Sequence, residues 1–523
     1  MKEADFLYNV VPYPSLSFPQ THPDRLATMA RLFGMQPAAI EKCRVLELGC
    51  GDGTNLAVIA DDLRDSQFVG IDLSERHIAE AEQTAQELNL TNISFLHGDI
   101  SQLDFKEFGK FDYIIAHGLY SWVPAPVRER ILAIYREMLA PQGVGYISYN
   151  TQPGCHIRQM LREMMLFHVE GIDSPAEKVE RALAFLGFMT EAVEPESLYQ
   201  QILQIEFEAL AERGAPNLLH DDLSENNQPF YFHEFVSQAE RHDLQFLAEA
   251  EAVSMQTHAY PPPIRRAIDA LGTDIIRREQ YLDFIKSRRF RQTLVCHSAV
   301  ALDRNMSSAK LDDFFIASLA APVSEKPELA TSQSEKFASA KGATVETNHP
   351  LTKAALVYLG QISPRSVSFN ELVSIAAEML VKAGYSESDP SSEKEKTAAL
   401  LLQIFGTGLV RLHVRAREFV TVAGERPETS FLARWQAARG QDVRTFNYTN
   451  IKLENSLMRA LLILLDGTRD REALLAELAA KIEAGELPSE GEETGDRELY
   501  LRELPDFLEY NLSLMARSAL LIS

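Results

Sequence analysis

The 523-residue chain predicts an α/β fold: a seven-stranded Rossmann-like sheet with a helical insertion, followed by two smaller α+β winged-helix-like domains. Three observations carry this expectation. Apolar strand-like runs alternate with helix-like stretches from residue 44 to 149, the pattern of a parallel sheet. The first run leads into Glu47-Leu48-Gly49-Cys50-Gly51-Asp52-Gly53, a glycine turn that lets a ligand lie against bare backbone at a helix N-terminus. After the fifth run the chain turns helical from 157 to about 213, more helix than such a sheet needs there.

Composition sets limits. Hydrophobic residues make up 46% and charged residues 24%, an ordinary globular balance. The formal net charge of −24 argues against nucleic acid as the main partner, because phosphate binding needs a basic face. It suits a basic substrate such as a lysine-bearing protein. Cys43, Cys50, Cys155 and Cys296 form no CxxC, and no His cluster stands at ligand spacing, so neither a disulfide framework nor a metal site is expected. The first 23 residues hold no apolar core of signal-peptide type, and no apolar run approaches a membrane span. The expectation is a cytoplasmic protein without membrane insertion.

Taken in order, residues 1–24 are rich in proline and aromatics (Tyr8, Pro12, Tyr13, Pro14, Phe18, Pro19, Pro23). That stretch is too proline-rich for a helix and too apolar for a free tail. It reads as an arm over the following domain, either a packing element or an active-site flap. Residues 25–33 look helical. The run 44–48 is the first strand, and 54–63 its helix. The second strand, 67–72, ends in Asp72, 19 residues past Gly53, where an acid accepts hydrogen bonds from ribose hydroxyls. Ser74 caps the helix 75–88. The third strand, 92–96, leads into His97-Gly98-Asp99-Ile100, where an acid and an apolar residue suit an adenine ring. The fourth strand is 111–116, the next helix 127–139 and the fifth strand 144–149. The runs 244–250 and 290–296 supply the two strands still missing, as an antiparallel pair at one edge.

The pattern Glu-x-Gly-x-Gly-x-Gly, an acid after strand two and Gly-Asp-Ile after strand three follow the order found in class I S-adenosylmethionine (AdoMet)-dependent methyltransferases, which this stretch resembles. That pocket implies transfer of an activated methyl group to a nucleophile held in line, with water excluded. The segment after strand four, His117-Gly118-Leu119-Tyr120-Ser121-Trp122-Val123-Pro124, faces the acceptor in such a fold. It lacks the Asn/Asp-Pro-Pro-aromatic motif of enzymes acting on base or amide nitrogens. Tyr120 and Trp122 either hold a cationic or amine acceptor or pack beneath the helix. His117 is a candidate for contact with the methionine moiety and, less so, for a general base. His156, in the turn 150–156, is a second candidate near the acceptor, against the plainer reading of a solvent-facing helix residue. The aromatic stretch 219–235 lines the acceptor entrance or packs on the sheet.

Beyond 300, strand-like runs at 314–319 and 336–347 precede amphipathic helices at 351–359, 368–380 and 393–404, and a strand-like run at 408–414. Three helices and a closing β segment resemble a winged helix. The last hundred residues repeat the plan, with 457–468 parallel to 351–362, and an acidic loop at 483–496. Neither module has a basic recognition helix, so protein recognition is expected rather than DNA binding. The boundaries are 1–300 for the AdoMet-binding domain, with the insertion at about 157–240, then 301–420 and 421–523.

Residues 13–15 and 18–23 (Tyr-Pro-Ser and Phe-Pro-Gln-Thr-His-Pro), the glycine turn, the 117–124 segment, 150–156, 229–235 and Arg469-Asp470-Arg471 together resemble bacterial methyltransferases with a methyltransferase regulatory domain. Within that family the likeness is to rickettsial-type protein-lysine methyltransferases, which modify an outer-membrane protein. The resemblance spans nearly the whole chain. It implies an AdoMet cofactor, a dimerisation insertion and accessory domains that grip a protein substrate presenting lysine. By residue-to-residue match it implies that Glu47, Gly49, Gly51 and Gly53 cradle the methionine part. Asp72, with Leu73 beside it, binds ribose, and Asp99 with Ile100 holds adenine. Cys155 departs from the family pattern, which has an aromatic there. Two other readings stand beside the protein-lysine one: a small-molecule methyltransferase and a non-catalytic AdoMet-binding module.

Overall fold

The computed structural model describes residues 10–11, 13, 16–339, 342–385, 390–416, 419–440, 442–487 and 496–523. Tyr8, Pro12, Pro14 and Ser15 of the N-terminal arm, residues 340–341 of one strand-like run, and residues 488–495 of the acidic loop lie outside them. The chain forms two units, one of residues 1–21 and 35–302 and one of residues 22–34 and 303–523. Helix α1 (Pro23–Leu32) therefore belongs to the second unit, whereas the expected boundary kept it in the first.

In the first unit the strands are β1 (Arg44–Leu48), β2 (Gln67–Asp72), β3 (Ile93–His97), β4 (Phe111–Ala116), β5 (Leu139–Asn150), β6 (Leu244–Glu249) and β7 (Phe290–His297). They form one sheet in the order β3-β2-β1-β4-β5-β7-β6. The pairs β1–β2, β2–β3, β1–β4 and β4–β5 are parallel, while β7 lies antiparallel to both β5 and β6. This is the seven-stranded sheet expected, with the two late runs in the edge positions predicted for them. Crossovers α2 (Thr54–Asp62), α3 (Glu75–Glu87) and α4 (Ala125–Met138) link β1 to β2, β2 to β3 and β4 to β5. Leu46, Leu48, Ile71, Ile114, Ala116 and Ile147 are all buried, which is why the parallel strands read as continuous apolar runs. The strand order reverses between β1 and β4, so a crevice opens at the carboxyl ends of those two strands.

The insertion holds α5 (His156–His168), α6 (Pro175–Ala192) and α7 (Leu198–Ala211). Its own core includes Leu161, Met165, Leu186, Leu203, Leu210 and Leu218. Helix α8 (Phe232–Glu240) sends Phe232 and Phe235 into the sheet core, so this helix packs with the sheet although the expected insertion ran to 240. After α9 (Pro262–Leu271) and α10 (Ile275–Lys286), strand β7 brings in Arg291, which is fully buried. Its guanidinium meets Glu249 on β6 and, on α10, Asp283 at 2.9 Å and Glu279 at 3.2 Å. Burying three acids is tolerable only with such pairing.

The second unit repeats one plan. In the first copy, β8 (Phe315–Ser318) pairs antiparallel with β12 (Val367–Ser368) and β13 (Val410–His413). Between β8 and β12, a small sheet of β9 (Ala321–Pro322), β10 (Glu335–Ala338) and β11 (Thr344–Thr347) precedes α11 (Pro350–Ile362). Helices α12 (Phe369–Lys382) and α13 (Pro390–Phe405) then lead to β13. In the second copy, Glu428 and Thr429 bridge antiparallel to Asp466 and Leu521, the points that follow the first and last of three helices. Those helices are α15 (Ser456–Leu464), α16 (Arg471–Glu483) and α17 (Asp496–Arg517); α14 (Phe431–Arg439) and the hairpin β14–β15 (Asp442–Arg444, Asn450–Lys452) stand before them. Helix α1 joins this unit through buried Asp24, which accepts from the Val414 N–H at 2.9 Å and pairs with His413 Nδ1 at 2.8 Å. Among the described residues, no helix is long and apolar enough to cross a membrane.

Candidate cofactor and acceptor site

The turn after β1 is built by three left-handed glycines, Gly49 (φ 70°), Gly51 (φ 55°) and Gly53 (φ 72°). Each is at a conformation that L side chains avoid. Gly53 caps α2, and a Cβ there would lie 2.6 Å from Phe95. Gly51 is different: a Cβ there would meet nothing within 4 Å, so its backbone borders open space. The Gly49 and Cys50 N–H groups donate to Ile71 O at 2.8 and 3.1 Å, tying the turn to β2.

Asp72 at the end of β2 accepts from Gly51 N at 2.9 Å on one oxygen and from Ser74 N at 2.8 Å on the other. The carboxylate is thus fixed beside the glycine turn, with lone pairs left over for a diol. Leu73 next to it is 41% exposed. Asp99 accepts from both the N–H and the hydroxyl of Ser101 on one oxygen, at 2.8 and 2.6 Å, and Ile100 is buried at the core's edge.

Glu47 is the acid on β1, 3% exposed. Asn55 Nδ2 donates to its Oε1 at 2.8 Å, and Oε2 is buried without a partner. Burial pushes the carboxyl pKa up to about 8, opposed by the Asn55 bond and helped by the Asp52 and Asp72 charges. A buried, half-satisfied carboxylate beside open glycine backbone suits an ammonium group, such as the one on the methionine part of AdoMet.

The N-terminal arm lies over this end of the site. The Phe18 N–H donates to Asn55 Oδ1 at 2.8 Å, and the Thr21 hydroxyl donates to Phe18 O at 2.8 Å. The Phe18 ring packs on His117 with centroids 3.7 Å apart. Further back the arm is anchored on the insertion: Val11 O is 2.7 Å from His220 Nε2, and the Tyr13 hydroxyl donates to Asp221 at 3.4 Å. His117 itself follows β4, part-buried, with Nδ1 2.9 Å from the Tyr146 hydroxyl. Burial lowers its pKa to about 3, so the imidazole is neutral and a poor base.

The acceptor candidates separate. Tyr120 is fully buried: its ring packs against Phe230 and Phe235, and its hydroxyl donates to Gln238 at 2.7 Å. That corrects its expected place at the acceptor; the side chain is core and offers no face to a substrate. Trp122 stays half-buried, its indole Nε1 enclosed without a partner. His156 is exposed, with Nε2 3.3 Å from the Tyr231 hydroxyl. Cys155 is buried and its thiol donates to Arg289 O at 3.1 Å, with burial raising its pKa to about 11. The loops around these residues meet. Asn150 N donates to the Ser121 hydroxyl, Gln228 N to Ser121 O, both at 2.8 Å, and Asn150 Nδ2 to Asn227 at 3.1 Å.

Sequence reasoning passed over Asn55, Tyr146 and Ser148. Tyr146 and Ser148 are two apart on β5 and so share a face, a signal that was present but had no visible partner.

Three family models match: a methyltransferase domain over residues 45–143, a predicted methyltransferase regulatory domain over 215–297, and a PKMT C-terminal winged helix domain over 425–520. The chain is 32% identical to the uncharacterized protein RP789 of Rickettsia prowazekii, over 98% of this chain and 93% of that protein. It is 35% identical to RP028 of the same organism over 46% of this chain and 96% of that protein. Among solved structures, it is similar to PKMT2 from Rickettsia typhi in complex with AdoHcy, with a TM-score of 0.85 and 26% identity, covering 98% of this chain and 100% of the other.

Proposed function

The chain belongs to the bacterial class I AdoMet-dependent methyltransferases that carry a methyltransferase regulatory domain, and from that premise we propose that it methylates lysine side chains of a protein substrate. The observation that carries the reading is that the likeness to PKMT2 runs over 98% of the chain, second unit included. A small acceptor has no need of two winged-helix-like modules, whereas a folded protein acceptor has to be gripped and oriented.

AdoMet, when bound, supplies a sulfonium-activated methyl group. The chain's own part is to bind and to position. Glu47, Gly49, Gly51 and Gly53 hold the methionine end, Asp72 with Leu73 the ribose, and Asp99 with Ile100 the adenine. Phe18 of the arm covers His117 and keeps water from that end. The lysine amine comes in past Trp122 and loses its proton to solvent, since neutral His117 is too weak a base to take it. An outer-membrane protein is the substrate class the resemblance favours; a homodimer through the insertion and a cytoplasmic location belong to the same reading.

The test is to incubate the full chain with methyl-labelled AdoMet and a bacterial lysate, then to separate protein from small molecules. Label in the protein fraction is the expected result. Label found only in small molecules would move the assignment to a small-molecule methyltransferase.

A further inference from the structure

Neutral His117 is set in a surround that specifies which nitrogen carries its proton. Two hydroxyls face Nδ1: Tyr146 at 2.9 Å and Ser148 at 3.4 Å. The Ser148 oxygen already accepts from Gly118 N at 2.8 Å, which leaves its hydrogen free to be given away. Gln20 of the arm hydrogen-bonds the Tyr146 hydroxyl, in the sense that favours the ionised phenol and therefore as a donor to its oxygen. The Tyr146 proton then points to Nδ1, and burial keeps that phenol protonated. The Ser148 hydroxyl acts on the Tyr146 oxygen in the same sense as Gln20, so the close donor to Nδ1 is the Tyr146 hydroxyl; Nδ1 is then the acceptor and Nε2 bears the hydrogen. The Phe18 ring covers one face of the imidazole, and Phe290 meets it edge-on at 6.0 Å. Among the described residues, Nε2 has no protein partner.

The segment that carries His117 adjoins the glycine turn, because a Cβ on Gly49 would lie 3.2 Å from Leu119. An AdoMet-type ligand carries one anionic group, the amino-acid carboxylate, and that is the group a fixed N–H donor beside the glycine turn would pair with. Glu47 carries the wrong charge for that group, and no Arg or Lys takes part in the hydrogen bonds described around this end of the site. We infer that His117 is a positioning residue for the cofactor's carboxylate, acting through Nε2–H, with Tyr146, Ser148 and Gln20 holding the required tautomer. The inference rests on the AdoMet site alone and stands or falls independently of the lysine acceptor.

The test uses calorimetry on the full chain with two probes, AdoHcy and its analogue lacking the carboxylate. Glutamine places an amide N–H near the position of Nε2, whereas asparagine reaches only the position of Nδ1. His117→Asn should weaken AdoHcy by about tenfold or more, the usual size for a charge-assisted bond. His117→Gln should recover most of that loss. Neither variant should change binding of the carboxylate-free analogue by more than about threefold. Tyr146→Phe keeps the packing and removes a donor to Nδ1; it should weaken AdoHcy and spare the analogue. Equal losses for both probes, or AdoHcy binding unchanged in His117→Asn, would overturn the inference. Failure of the wild-type chain to bind either probe would instead remove the cofactor site itself.

Discussion

The Asn55 amide donates to one oxygen of the buried Glu47 carboxylate at 2.8 Å, while the same side chain's oxygen accepts from Phe18 N, also at 2.8 Å. One asparagine therefore joins the acid of the glycine turn to the N-terminal arm. The second Glu47 oxygen has no partner, and burial lifts the carboxyl to about 8. The folded-state pKa lies above the ordinary glutamate value of 4.5, so this group's stabilisation is full below 4.5 and is lost as pH rises through about 8. An ammonium-bearing ligand prefers the carboxylate. AdoHcy affinity should thus rise with pH between about 6 and 8, by at most about tenfold per unit, with proton release seen in buffers of different ionisation heat. Glu47→Gln should abolish that slope. A pH-independent affinity in the wild type would contradict the assignment.

The glycines of the turn should separate on substitution. Gly53→Ala would drive a Cβ to 2.6 Å from Phe95 and 2.7 Å from Ala81, so it should cost about 1–3 kcal/mol of stability, read as a lower thermal midpoint. Gly51→Ala meets nothing and should cost about 1 kcal/mol for its φ alone. Its AdoHcy affinity should nonetheless fall, because the new methyl would project into the open space beside the turn.

Tyr120 and Trp122 should part company in the same way. Tyr120→Phe removes one buried hydrogen bond to Gln238, about 1 kcal/mol, and should leave methyl transfer within about threefold. Trp122→Ala should raise KM for a protein acceptor while leaving AdoHcy binding in place. Steady-state kinetics with a labelled lysate substrate checks both. A loss of AdoHcy affinity in Trp122→Ala would place that ring at the cofactor instead.

Arg291 should be among the most sensitive positions outside the site. Arg291→Met would leave Glu249, Glu279 and Asp283 with Arg288 alone, which reaches Asp283 at 3.1 Å and the other two only at 3.9 and 4.0 Å, a cost of about 3 kcal/mol. Denaturant unfolding should show it, with a smaller cost at low pH, since burial raises the carboxyls of Glu279 and Asp283.

The parallel part of the sheet was legible because alternation and the glycine turn are local signals. Gly49, Gly51, Gly53 and Asp72 lie within 24 residues, so the turn and the acid beside it could be placed from spacing alone. The late antiparallel strands β6 and β7 were legible as apolar runs. What lay hidden depends on pairing at a distance. Tyr146 and Ser148 matter only because β5 runs beside β4 and brings them to His117. Helix α1 leaves the first unit because Asp24 meets His413, 389 residues away, which no local pattern reveals. Tyr120 reads equally well as a pocket wall or as core until Phe230 and Phe235 are seen against it. The repeat in the second unit was visible in the spacing of helices, and the matching bridges at Asp466 and Leu521 give it a common topology.

The most direct measurement is the chemical identity of the methylated residue. Full-length enzyme, methyl-labelled AdoMet and lysate protein would be incubated, and the labelled protein digested and sequenced by mass spectrometry. Label is expected on the ε-nitrogen of lysine and should be abolished by Asp72→Ala. Label confined to any other side chain, or to no protein at all, would contradict it.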